Sequence, residues 1–126
     1  MNFLAQLFRK PVKSDIPPMP TWEAIVEMMY DRQLDAFTDE VMQVIYSKDK
    51  SMRYVILKNE NGLLSYQLEA ICQFDADDWK YLCSNNPTLP AIWEPFQGRL
   101  SNSFFEHKDD LIRERKAEPE YKQFFR

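Results

Sequence analysis

Residues 52–74 read Met52-Arg53-Tyr54-Val55-Ile56-Leu57-Lys58-Asn59-Glu60-Asn61-Gly62-Leu63-Leu64-Ser65-Tyr66-Gln67-Leu68-Glu69-Ala70-Ile71-Cys72-Gln73-Phe74, a β-prone run broken once by a polar turn. Asn61-Gly62 is the pair that a two-residue type I′ turn favours, because both central positions need φ > 0. A turn on that pair predicts a hairpin with Leu57 opposite Tyr66, Val55 opposite Leu68 and Arg53 opposite Ala70. Tyr54 and Ile56 then lie on the other face, across from Glu69 and Gln67. The later strand alternates, with Leu64, Tyr66, Leu68, Ala70, Cys72 and Phe74 on a core side and Ser65, Gln67, Glu69 and Gln73 on a wet one.

The earlier strand is apolar on both faces, which suits a strand with a neighbour on each side. Its second neighbour is Val41 to Tyr46, joined through the polar loop Ser47-Lys48-Asp49-Lys50-Ser51. The expectation is an antiparallel meander.

Helical signals flank it. Thr21 is a natural N-cap, and Trp22, Ile25, Val26, Met29 and Tyr30 follow at i, i+3, i+4, i+7 and i+8, read as one core-facing stripe. Asp75 caps a short helix through Cys83, with Asp77 and Asp78 in the first turn, where the helix dipole favours negative charge. Capping explains this acidic cluster better than a calcium loop, which needs a turn glycine and a closing glutamate. Ser84 to Pro95 is a proline-broken loop, with one turn at Ala91-Ile92-Trp93; Trp93 is either a lid on the core or a binding anchor. Gly98 to Phe105 adds a short edge strand with Leu100 and Phe104 inward. A charged helix then runs from Lys108 to Ala117 on the anchors Leu111 and Ile112, and the aromatic tail of Tyr121, Phe124 and Phe125 must dock or face a partner.

Residues 1–20 stand apart from a single domain over 21–126. Phe3, Leu4, Leu7 and Phe8 fall at helical spacing, and Pro11 to Pro20 holds four of the eight prolines and reads as an extended spacer. So short a helix needs a surface: its own domain, a partner, a membrane interface, or a second copy of the chain through those four apolar residues.

The chain has 126 residues, 44% of them hydrophobic, enough for one cored domain. Two cysteines, Cys72 and Cys83, read as buried reduced thiols, and no apolar run is long enough to span a membrane. The default location is cytoplasmic. Net charge is −4, and because Arg9, Lys10 and Lys13 precede every acid, residues beyond them carry thirteen basic against twenty acidic groups, or −7. An acidic body whose basic residues are interleaved with acids, as in Arg113-Glu114-Arg115-Lys116, argues against nucleic acid as a partner.

His107 is the only histidine, set among Glu106, Lys108, Asp109 and Asp110 as a surface residue, and two glycines are too few for a phosphate or dinucleotide loop. There is neither a CxxC nor an HExxH, so no metal site, cofactor or catalytic residue is assigned.

The element order, with Tyr46 to Tyr54, Phe74 to Trp79 and Trp93-Glu94-Pro95, resembles small bacterial proteins, some of them similar in style to the immunity proteins carried beside polymorphic toxins. The resemblance implies a compact acidic cytoplasmic domain that binds one protein and blocks it. The sequence therefore predicts an α+β fold, a three- to four-stranded antiparallel β-meander with helices mainly on one face. It predicts a non-enzymatic protein-binding module with a basic protein partner, contacting it through Glu69 and its wet face, Asp77, Asp78 and Trp93. The alternatives are a ligand or enzymatic pocket using Tyr54, Glu69 and Tyr66, and a self-associating structural protein.

Overall fold

The computed structural model describes residues 16–85, 89–99 and 103–126. Thr21 Oγ1 accepts from the Ala24 N–H at 3.2 Å and starts α1 (Trp22–Met29). Three strands follow, β1 (Glu40–Tyr46), β2 (Met52–Lys58) and β3 (Leu64–Gln73), then α2 (Ala76–Asn85) and β4 (Ala91–Pro95). The chain closes with α3 (Lys108–Lys116) and a wide C-terminal turn at Tyr121–Phe125. The strands form one antiparallel sheet in the order β1-β2-β3-β4, so the fold is α+β and the meander is as predicted. Asp75 caps α2 through a 2.8 Å bond from the Asp78 N–H. Ala91 to Trp93, expected as a turn, instead extends along the free side of β3 as β4.

The hairpin forms where expected, but its register differs by one residue. Arg53 pairs with Glu69, Tyr54 with Leu68, Val55 with Gln67 and Ile56 with Tyr66. The reason is Asn59, whose side-chain Oδ1 accepts from the N–H groups of both Asn61 and Leu63 at 2.9 Å. Its carbonyl also accepts from the Gly62 N–H at 3.0 Å, and Gly62 sits at φ +83°. That is a longer loop ending in a left-handed glycine, not a two-residue I′ turn. A slip of one moves every pairing to the other face. Arg53 therefore comes beside Glu69, and Tyr54 and Ile56 join Leu68 and Tyr66.

Helices occupy both faces of the sheet, which corrects the expectation of one. On the first face Ile25 and Met29 of α1 pack with Ile71, Ala91 and Trp93. On the second, Leu111 of α3 packs with Ile56 and Leu64, and Tyr121, Phe124 and Phe125 close over Met52, Tyr54 and Leu68. The ten-residue β3 is long enough to serve both: Leu64 and Leu68 point to one side in its first part and Ile71 to the other near its end. Cys72, expected inside, lies past the region that α3 covers and is exposed; both cysteines are free. Phe104, expected inward, is exposed as well, while Phe105 forms an isolated antiparallel bridge with Leu64. Leu100 and the four residues Phe3, Leu4, Leu7 and Phe8 lie outside the described residues. The end of the expected spacer does pack: Met19 joins the α1 cluster, and the Pro17 carbonyl accepts from Trp79 Nε1 at 2.8 Å.

Candidate functional site

Two features of the α1 side stand out, a buried ionic cluster and the half-exposed surface it supports. The Arg53 side chain is fully buried in the middle of the sheet, where an unpaired guanidinium would be costly. Its Nε donates to Glu69 Oε1 at 2.8 Å, Glu69 Oε2 accepts from Gln67 Nε2 at 2.8 Å, and the Trp93 ring lies 4.1 Å from the guanidinium carbon. Nη1 and Nη2 of Arg53 have no hydrogen-bond partner. Trp93 is fixed in turn by its own Nε1, which donates to the Met29 carbonyl at 2.8 Å at the end of α1. The cluster thus ties three strands to the first helix.

The segment leaving α1 is held by the same group of residues. Tyr46 donates its hydroxyl to Asp31 Oδ1 at 2.8 Å and accepts from the Asp31 N–H at 2.9 Å. Burial first, and the hydrogen bond to Asp31 second, push the Tyr46 hydroxyl above its usual pKa. Gln33 brackets Trp93, its Oε1 accepting from the Trp93 N–H at 2.8 Å and its Nε2 donating to the Trp93 carbonyl at 3.4 Å. Both Asp31 and Gln33 are left-handed, at φ +59° and +62°, a conformation costing a non-glycine residue roughly 1 kcal/mol. Those side-chain bonds stabilise the strained path.

That path fixes Tyr30, which stacks on Tyr46 with ring centroids 4.6 Å apart and carries Lys50 Nζ at 5.2 Å. Trp22 and Val26 of α1 and Tyr30, its C-cap, fall at i, i+4 and i+8. Trp22 and Tyr30 are 41% and 46% exposed. A cleft of about 300 Å³ is lined by Val26, Glu27, Tyr30 and Lys50, and Glu23 and Glu27 run along one side of the stripe. An apolar line of Trp and Tyr flanked by charge, held rigid from beneath, is the composition of a protein-binding anchor.

The residues predicted to form a contact surface do not come together. Glu69 is 5% and Trp93 4% exposed, both interior to the Arg53 cluster, while Asp77 and Asp78 are exposed on α2. The expected wet face is dry at Glu69 because the register places a buried arginine against it. The predicted pocket set divides as well, Glu69 on one face and Tyr54 and Tyr66 on the other. Tyr54 is fully buried and its hydroxyl has no partner; burial, then the field of Glu118, raises its pKa. Arg115 mirrors Arg53 on that face, buried 3.8 Å over the Tyr66 ring, with Nη1 2.7 Å from Glu118 Oε1 but off the line of a hydrogen bond. Periodicity puts Trp22, Val26 and Tyr30 in one stripe with Ile25 and Met29 and carries no signal that Trp22 and Tyr30 stand half out of the core.

Compared with protein-family models, curated proteins and solved structures, the chain matches none. Among the described residues no helix is long and apolar enough to cross a membrane.

Proposed function

We propose that this chain is a non-enzymatic protein-binding module that seats a partner on the outer stripe of α1. The observation that carries the reading is the line of Trp22, Val26 and Tyr30, with Trp22 and Tyr30 half-exposed, Tyr30 fixed by its stack on Tyr46, and Glu23 and Glu27 along one side. Tryptophan and tyrosine are the residues that most often supply binding energy when they fill a partner's pocket, and anchors that do not reorganise bind at lower entropic cost. The acidic flank, on an acidic chain, favours a partner with an apolar ridge and basic flanks. The resemblance drawn from the sequence adds an immunity-like role, in which binding blocks the partner's own activity. An exposed free thiol at Cys72 fits work in a reducing compartment such as the cytoplasm.

The test is capture with tagged full-length protein at moderate salt, comparing wild type with Trp22→Ala/Tyr30→Ala and with Asp77→Lys/Asp78→Lys. One stoichiometric basic partner is expected with wild type, lost with the α1 pair and kept with the α2 pair. Loss with the α2 pair alone would move the surface to the acidic start of that helix. A partner kept by both would remove the α1 assignment.

A further inference from the structure

The two edges of the sheet are treated differently. β4 is short, ends in Pro95, and has its outward N–H and C=O at Trp93 taken by the Gln33 amide, so little of it is open to another strand. Among the described residues β1 has no such cover along Val44 to Tyr46; the C-terminal turn reaches it only past its end, where the Lys48 N–H donates to the Phe124 carbonyl at 3.0 Å. The bond from the Ser47 N–H to the Met52 carbonyl makes Ser47 and Met52 a hydrogen-bonded pair, so Ile45 also faces β2, and the backbone groups of Val44 and Tyr46 point outward. Among the described residues no hydrogen bond reaches those outward groups. Met42, at the bulge between Val41 and Gln43, is 42% exposed beside them.

We propose that this edge pairs with the same edge of a second copy, antiparallel across a two-fold axis, to continue the sheet from one chain into the next. Charge selects a second copy as the occupant. Asp39 and Glu40 stand at the start of β1, and Lys48 and Lys50 lie just past its end. Antiparallel self-pairing brings each acidic end beside the other copy's basic end, twice over, whereas a parallel alignment sets like charges together. The register that uses only the regular part of β1 places Ile45 on the axis and Val44 opposite Tyr46 of the second copy. Each such pair exchanges both of its backbone hydrogen bonds, and a β-branched residue opposite an aromatic one is a favourable cross-strand pair. The edge adjoins the α1 stripe, since Tyr46 stacks on Tyr30 and Lys50 lines the α1 cleft, but the edge variants below change only Val44, Glu40 and Lys48 and leave the side chains of the stripe in place, so either assignment can fail without the other.

Sedimentation equilibrium of the full chain tests it, across roughly 10 µM to 1 mM, the range suited to a small interface. The mass should rise with concentration from 15.1 kDa toward twice that value. Val44→Pro, which removes an outward donor at a position where an edge strand tolerates proline, should leave a monomer. Glu40→Lys and Lys48→Glu should each weaken association by about 3- to 10-fold, and the two together should restore it. If Val44→Pro fails to fold, the charge exchange decides alone. A wild-type monomer throughout would overturn the proposal, as would a dimer indifferent to the charge changes. A dimer abolished only by Leu4→Glu/Leu7→Glu would overturn it too, and assign association to the N-terminal segment.

Discussion

Glu69→Ala gives the sharpest view of how this fold is held. The Arg53 and Glu69 side chains are 0% and 6% exposed and meet at 2.8 Å. In the wild type only the Arg53 Nε is hydrogen-bonded, with Nη1 and Nη2 already unpartnered. Removing the carboxylate leaves a buried cation with only the Trp93 face, 4.1 Å away, and the Tyr46 hydroxyl, on which the guanidinium acts, as compensation. Breaking a buried pair from one side costs about 3–5 kcal/mol, because the surviving charge stays desolvated. Lowering stability by that amount in a domain of this size moves the melting temperature down by roughly 10–20 °C. Replacing both members, as Arg53→Met/Glu69→Leu, removes the charges together and should fall within about 1 kcal/mol of wild type or above it. Urea titrations of the wild type, the two single variants and the double variant give the coupling directly. A loss below about 1 kcal/mol for Glu69→Ala would refute the reasoning, since it would mean that Arg53 reaches water or another anion.

Three further outcomes follow from single positions. Gly62→Ala should destabilise by about 1 kcal/mol from the left-handed backbone alone, since nothing lies within 4 Å of an added Cβ, and Gly62→Asn by less; urea midpoints that do not move would contradict the φ of +83°. Leu111→Ala should cost about 2–5 kcal/mol in thermal unfolding, because Leu111 is fully buried and seats α3, while the half-buried Ile112→Ala should cost less. Partial burial pushes the Asp49 carboxyl up, but hydrogen bonds from Ser51 and Ser47 outweigh it and hold it below its usual pKa. Its contribution is therefore complete above about pH 4 and lost as pH falls through the depressed value, so Asp49→Asn should narrow the stability difference between pH 6 and about pH 3, as read by urea midpoints.

Much of the fold was legible because it rests on local signals. Thr21 and Asp75 cap their helices, the apolar runs at 41–46 and 52–57 are strands, and the loop at Ser47 to Ser51 connects them. The register was not legible from Asn61-Gly62, because the deciding group is the side chain of Asn59, two residues earlier, which lengthens the loop. That single displacement hid the site: with Arg53 placed opposite Ala70, nothing indicated an ion pair, and Glu69 read as a wet-face residue. Division of the helices between two faces was likewise hidden, because alternation along β3 reports that one face is apolar but not that the apolar face changes near Ile71. In the sequence the α1 stripe reads as core throughout, because periodicity gives the line of apolar residues and not how much of it a neighbouring sheet reaches.

The most direct measurement is a hydroxyl-radical footprint of the captured complex against the free chain. The account predicts protection of Trp22 and Tyr30, with Met28, on another side of α1, and Asp77 and Asp78 unchanged in accessibility and Trp93 silent in both states because it is buried. Protection confined to α2, or no change at Trp22 and Tyr30 in a complex that has formed, would contradict it.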